Sequence, residues 1–187
     1  MTETLAELSR KALRELSDVF ARMPNDCADE LIEAIVAARK LVLFGCGCEG
    51  LKMRGFAMRL FHLGRDVTVW GDMSMPPVGP DDLLIVSAGP GDLTTARVLV
   101  LRAREAGART ALITAQPSAP LADQVDVVTV IPAQTMADDT ASHASILPMG
   151  SLFEAAQMLF FELVVLKLRP LLHETVETMR ARHTNLE

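Results

Sequence analysis

Residues 41–64 read LVLFGCGCEGLKMRGFAMRLFHLG, a strand, a glycine-rich turn and a helix in immediate succession. The run Leu41, Val42, Leu43, Phe44 has no polar interruption, the pattern of a strand covered on both faces. Gly45, Gly47 and Gly50 follow at G-x-G-x-x-G spacing, where backbone amides and a helix N-terminus converge on a point that favours anions. A turn that needs only positive φ and close helix packing has the same spacing, so the triplet alone leaves both readings open.

Outward from this stretch, the apolar pattern predicts a helix over 51–63, Gly64 as its left-handed cap, and a second strand over 66–70. Residues 71–82 hold three prolines and read as a loop. A third buried strand over 83–86 ends in another glycine-rich turn, Ser87, Ala88, Gly89, Pro90, Gly91, Asp92. A helix over 94–106, a strand over 109–114, a turn near Pro120 and a strand over 125–131 follow. Strands alternating with helices imply right-handed crossovers and a parallel sheet. The expected fold is α/β, a three-layer α/β/α sandwich on a five-stranded parallel sheet in the flavodoxin-like order 2-1-3-4-5. In that order the first and third strands end side by side, and the two glycine turns face one another across a crevice.

The flanks are helical. Apolar residues recur at helical spacing over 4–22, Pro24 ends that helix, and Asn25 and Asp26 are placed to cap a second one bearing Leu31, Ile32, Ile35 and Val36. These helices pack and carry no recognisable chemistry. The polar loop 132–145 is long enough to act as a lid or to cross a subunit boundary. An apolar helix opens over 147–154 and runs to about 168, Pro170 breaks it, and a last helix carries Leu171, Leu172, Val176 and Met179 to the tail 180–187. The 187 residues thus make a single domain: a helical segment 1–39, a sheet core 40–131 and C-terminal helices 147–187.

Composition narrows the function. Half of the residues are apolar, enough for a substantial core, and the net charge of −6 with no basic run and no Tyr argues against nucleic acid. The apolar stretch 155–166 is broken by Gln157 and Glu162, and the N-terminus has acids where a signal peptide has bases. A cytoplasmic protein away from membranes is expected. Cys27, Cys46 and Cys48 are odd in number and lack zinc-ligand spacing, so neither a disulfide framework nor a metal site follows. The helix 149–168 is apolar around too much of its circumference for a monomer, which predicts a homo-oligomer, a tetramer.

Three segments together, Gly45-x-Gly47 ahead of FAMRLFHLG (56–64), LPMGS-x-FE (147–154) and RH-x-NLE (182–187), resemble the 6-phospho-3-hexuloisomerases, which are sugar isomerase (SIS) domain proteins. The resemblance covers nearly the whole chain. It implies an isomerase that interconverts 3-hexulose 6-phosphate and fructose 6-phosphate without metal or organic cofactor, in a tetramer with active sites between subunits. Glu154 matches the motif carboxylate, a proton-transferring base, and His183 the tail histidine brought from a neighbour. His62 is a third catalytic candidate, with packing as its other reading. For Glu154 the other reading is a capping box, Ser151-x-x-Glu154. Glu162, about 80° further around the helix, reads as an interface group rather than its partner.

The resemblance places the substrate at Gly45, Gly47, Cys48, Glu49, Ser87, Gly89, Gly91, Asp92, Thr94 and Thr95. There the chain departs from the family. Cys48-Glu49 stands where the family has Arg-Ser, and residues 88–93, AGPGDL, stand where it has Ser-Gly-Ser-Gly-x-Thr. Three hydroxyl donors are lost from the second turn, along with the arginine of the first, and Pro90 removes an N–H. At roughly 1.5 kcal/mol each, the three losses weaken phosphate binding by about 4–5 kcal/mol, on the order of a thousandfold. Glu49 adds repulsion, and Glu49 and Asp92 stand at the two helix N-termini that phosphate would use. Three readings follow: a hexulose-phosphate isomerase with a rebuilt cradle using Ser87, Thr94 and Thr95; an isomerase of an unphosphorylated sugar derivative; and a catalytically weak, ligand-binding or regulatory SIS protein. Cys48 at a helix N-terminus is either a reactive thiol or a small packed residue.

Overall fold

The uninterrupted apolar runs become the middle of a parallel sheet. The computed structural model describes residues 3–140 and 145–186. Its strands are β1 (Leu41–Gly45), β2 (Val67–Val69), β3 (Leu83–Ser87), β4 (Arg109–Thr114) and β5 (Val127–Val130), ordered β2-β1-β3-β4-β5 and parallel throughout. The expected order holds. Because successive crossovers move first to one side and then to the other, right-handedness puts their helices on opposite faces. Helix α3 (Gly47–His62) joins β1 to β2 on one face, and α4 (Thr94–Glu105) joins β3 to β4 on the other.

Each face has its own core. Leu41, Leu43, Leu83, Ile85, Ala111, Ile113 and Val127 pack against α1 (Leu5–Ala21), α2 (Asp29–Ala37), α3 and α5 (Ser151–Leu171). Val42, Phe44, Leu84, Val86 and Leu112 alternate with them and pack against Ala96, Val100 and Ala103 of α4. The alternation with both sides buried is what a two-faced parallel sheet requires. The N-terminal end of the sheet is pinned by buried charge: Asp82 lies between Arg39 and Lys40 and accepts from the Gly79 N–H at 2.9 Å, while Lys40 Nζ also donates to the Pro77 carbonyl at 2.7 Å.

Several boundaries differ from the expectations. Asn25 and Asp26 do not cap α2; Ala28 holds that position without a side-chain bond, because 24–29 coils into consecutive turns closed by Cys27 N–H to Pro24 and Asp29 N–H to Asp26 carbonyls. Helix α3 starts at Gly47, four residues early. Pro170 does not break α5 but sits in its last turn; both Pro170 and Leu166, whose carbonyl it leaves unbonded, are exposed, so water can serve that carbonyl. The last helix, α6 (Val176–Ala181), begins only after the Thr175 cap. Between β5 and α5, the described part of the loop is held down by Gln116 to Asp138 and by Ser145 N–H to the Gln134 side chain; residues 141–144 of the expected lid lie outside the described residues.

Candidate functional site

Strand register brings the two glycine turns together. Gly45 pairs with Ser87 and Ser87 with Ile113, so β1 and β3 end level. At Gly45 the chain coils straight into α3: the Gly50 N–H donates to the Cys46 carbonyl at 3.0 Å, and a Cβ on Gly50 would lie 2.5 Å from the Gly45 carbonyl oxygen. Only glycine permits that closure. Cys48 and Glu49 therefore ride on the first helical turn rather than in a loop, with Cys46 as an N-cap that makes no side-chain bond.

Glu49 reaches across the crevice. Its carboxylate accepts from the Ser87 hydroxyl at 2.5 Å and from the Gly89 N–H at 3.0 and 3.2 Å. Behind Ser87, Gln157 Nε2 donates to the same hydroxyl oxygen at 2.6 Å. Ser87 is 1% exposed and Gln157 fully buried, with Gln157 Oε1 left without a partner. Burial pushes the Glu49 carboxyl above its usual range, opposed by the Ser87 and Gly89 bonds and reinforced by the nearby Glu154 charge. Gln157 escaped the sequence reading, where it merely interrupts an apolar run; its signal was a polar residue on the buried face of a helix.

Glu154, half-buried on the first turn of α5, caps nothing. Gly150, with φ 78°, is the N-cap, Ser151 follows it, and the Ser151 hydroxyl donates to the Pro148 carbonyl. The capping box is thus ruled out: the left-handed pair Met149 and Gly150 shifts the helix start so that Glu154 stands one residue too far along. Its carboxylate instead neighbours the Cys48 thiol, and that neighbour, with burial, pushes the thiol pKa up. A raised thiol is the opposite of an activated one, so Cys48 beside Glu154 does not read as a reactive thiolate.

Asp92 does not serve the N-terminus of α4. Leu93 is the N-cap without a side-chain bond, and Asp92 is drawn to Arg97 at 2.6 Å. Thr94 and Thr95 are exposed on the first turn, and Gly91 turns the chain with φ 91°. Ser87, expected to help rebuild a phosphate cradle, is engaged by Glu49.

The histidines lie elsewhere. His62 ends α3, and His183 stacks beside it with ring centroids 5.3 Å apart. Arg182 docks the tail there, donating to the His62 carbonyl at 2.9 Å and forking onto Glu174 at 2.7 and 2.8 Å. Both imidazoles line a cavity of about 320 Å³ with Arg59, Arg169, Arg180 and Glu162. Glu162 is ion-paired to Arg59 at 2.9 Å, joining α5 to α3 within the chain. From Cys48 to His62 the helix rises about 20 Å, so Glu154 and the histidines do not meet in one chain. Among the described residues, no group of three or more His, Cys, Asp and Glu side chains is arranged to hold a metal, and no helix is long and apolar enough to cross a membrane.

Comparison with known proteins bears on the same residues. Two curated relatives are both described as 3-hexulose-6-phosphate isomerase: one from Bacillus subtilis, 33% identical over 186 residues, covering 100% of this chain and 98% of the relative, and one from Mycobacterium gastri, 36% identical over 173 residues, covering 92% and 86%. A crystal structure from Methanococcus jannaschii, from which a 3-hexulose-6-phosphate isomerase function was inferred, superposes with a TM-score of 0.79 at 27% identity, covering 98% of each chain. The SIS domain profile matches residues 34–159, from α2 through Glu154 and Gln157, and the chain belongs to the SIS domain family.

Proposed function

We propose that the chain is an isomerase that interconverts 3-hexulose 6-phosphate and fructose 6-phosphate. The observation that carries this reading is Glu154, a half-buried carboxylate beside the first glycine turn that no helix end employs. Whole-length similarity to relatives with that activity supports it. In the forward direction Glu154 removes the proton from C2 of the 3-hexulose, forming a 2,3-enediol, and returns it to C3, while the hydroxyl proton of O2 passes to O3. The carboxylate ends as it began, and no electrons leave the sugar.

The hydroxyl transfer needs a second group within reach. His183 and His62, about 20 Å along α3, suit it when supplied by a second copy, and a homo-oligomer, a tetramer, with sites between subunits is part of this proposal. Leu51, Met58, Phe61, Met158 and Leu166 expose a contiguous apolar face on α3 and α5 that such packing would cover. A cytoplasmic setting fits a metabolic isomerase.

Glu49 favours a second reading, an isomerase of a sugar derivative without phosphate. One assay separates the two: formation of fructose 6-phosphate from 3-hexulose 6-phosphate, run beside the unphosphorylated hexuloses. Turnover of the phosphate ester by the unaltered protein, with Glu154→Gln reducing kcat by about 10²–10⁴-fold, is the expected result. Turnover of neither class would leave a ligand-binding SIS protein; undiminished turnover in Glu154→Gln would remove that residue from the chemistry.

A further inference from the structure

The donors that would grip an anion at the end of β3 are already taken. Ser87 has a single O–H; because Gln157 Nε2 donates to its oxygen, that proton goes to Glu49 and cannot swing to a ligand. The Gly89 N–H is likewise given to the two Glu49 oxygens. The space is taken as well: a Cβ on Gly89 would fall 2.9 Å from Glu49 Oε1 and 2.8 Å from the Phe153 ring, leaving no volume there for a tetrahedral anion. Glu154 adds a second negative charge close enough to act on Glu49.

We propose that Glu49 is an internal anion that fills the glycine cradle and turns the crevice into a subsite for a neutral, hydroxyl-bearing end of the sugar, from which phosphate is excluded. Carboxylates accept and do not donate, so the lone pairs that Glu49 and Glu154 keep free select hydroxyl groups and reject phosphate oxygens, which are also acceptors. Backbone and hydroxyl donors that bind phosphate in an empty cradle here fix the orientation of a carboxylate. The inference rests on the crevice being the sugar site, and it holds for either class of hexulose, since a phosphate ester can enter with its phosphate directed away from the cradle.

The test is calorimetric titration with inorganic phosphate and with fructose 6-phosphate, fructose serving as the unphosphorylated control, at one pH and low salt. Glu49→Ala frees the Ser87 hydroxyl and the Gly89 N–H together, and is expected to bind inorganic phosphate about tenfold more tightly than the unaltered protein. Fructose affinity should fall in the same variant. Glu49→Gln keeps an acceptor on both donors and removes only the charge, so its phosphate affinity should rise less, by a few-fold. Thermal melts of both variants report folding, and if Glu49→Ala does not fold, a gain in Glu49→Gln supports the assignment and no gain overturns it. Micromolar binding of inorganic phosphate by the unaltered protein, unchanged or weakened in Glu49→Ala, would also overturn it. Because the titration needs no turnover, failure of the isomerase reading would leave this result readable on its own.

Discussion

Removing one buried oxygen atom should test whether the crevice is held by a network. Ser87→Ala deletes the donor to Glu49 and the acceptor for Gln157 Nε2 with little change in volume. A hydrogen bond to a charged group contributes about 1.5–3 kcal/mol, and stranding a buried amide costs about 1–3 kcal/mol. Gln157 is fully buried and its Oε1 already lacks a partner, so the mutation would leave the whole amide unbonded. The expected loss is therefore about 3 kcal/mol, or roughly 6–12 °C in Tm for a chain of this length. Gln157→Leu alone should be nearly neutral, since it removes an orphaned carbonyl while Ser87 keeps Glu49. In the double variant no amide is stranded, so the loss should be about 1 kcal/mol or more smaller than the sum of the singles. Urea denaturation of the four proteins at one protein concentration measures the cycle. A Ser87→Ala cost below about 0.5 kcal/mol, or additivity within that margin, would refute the network.

Two further outcomes follow from the buried charges. Asp82→Asn should cost about 3 kcal/mol in urea denaturation, because it leaves the Lys40 ammonium, only 6% exposed, with the Pro77 carbonyl as its remaining partner; Arg39, 63% exposed, adds little, and a loss under about 1 kcal/mol would show that Lys40 is solvated after all. The raised carboxyl of Glu49 makes stability fall as pH rises: the folded state holds this proton more tightly than the unfolded chain, so the contribution is complete below the unfolded value of about 4.3 and lost as pH passes through the folded pKa. Unfolding midpoints of wild type and Glu49→Gln from pH 4.5 upward should therefore diverge in favour of the variant, and divergence in favour of wild type would mean that Ser87 and Gly89 more than offset burial.

The sheet was legible because a strand buried on both faces leaves an uninterrupted apolar run, and strand–helix alternation over five strands points to the flavodoxin-like doubly wound order. Helix starts were harder. Gly47, Cys48 and Gly50 have weak helix propensity and make the segment read as turn, yet tertiary closure of Gly50 on the Gly45 carbonyl makes residues 47–50 the first turn of α3. Ser151 and Glu154 have capping-box spacing, but two left-handed residues ahead of them reset the count. The motif carboxylate was visible in one segment, whereas Gln157 and the occupancy of Ser87 by Glu49 depend on which face of α5 is buried. Nothing local records that Arg182 reaches the carbonyl of His62 across 120 positions.

Helix α3 has Glu49 on its first turn, near Glu154, and Arg59 and His62 on its last, beside His183, and its midpoint suggests how the two ends meet. Cys48 and His62 are equidistant in sequence from Gly55, which is exposed and where an added Cβ would have no neighbour within 4 Å. Leu51, Met58 and Met158 are exposed around it, and a groove of about 290 Å³ lined by these residues and Phe161 runs between α3 and α5. If two copies cross antiparallel about a two-fold axis at Gly55, Cys48 and Glu154 of each come opposite His62 and His183 of the other, and both half-sites are completed at once. A glycine at the crossing lets the two backbones approach, so its cost in helix propensity of about 1 kcal/mol relative to Ala has a return only in the oligomer. Gly55→Leu separates two possibilities. On a monomer surface it should raise stability by up to about 1 kcal/mol and leave everything else alone. At a close crossing it should instead shift sedimentation toward the 20.3 kDa species and abolish any isomerase activity while the isolated fold stays intact. A Gly55→Leu protein that keeps its mass in solution and its turnover would place the crossing elsewhere and require another route by which an imidazole reaches Glu154.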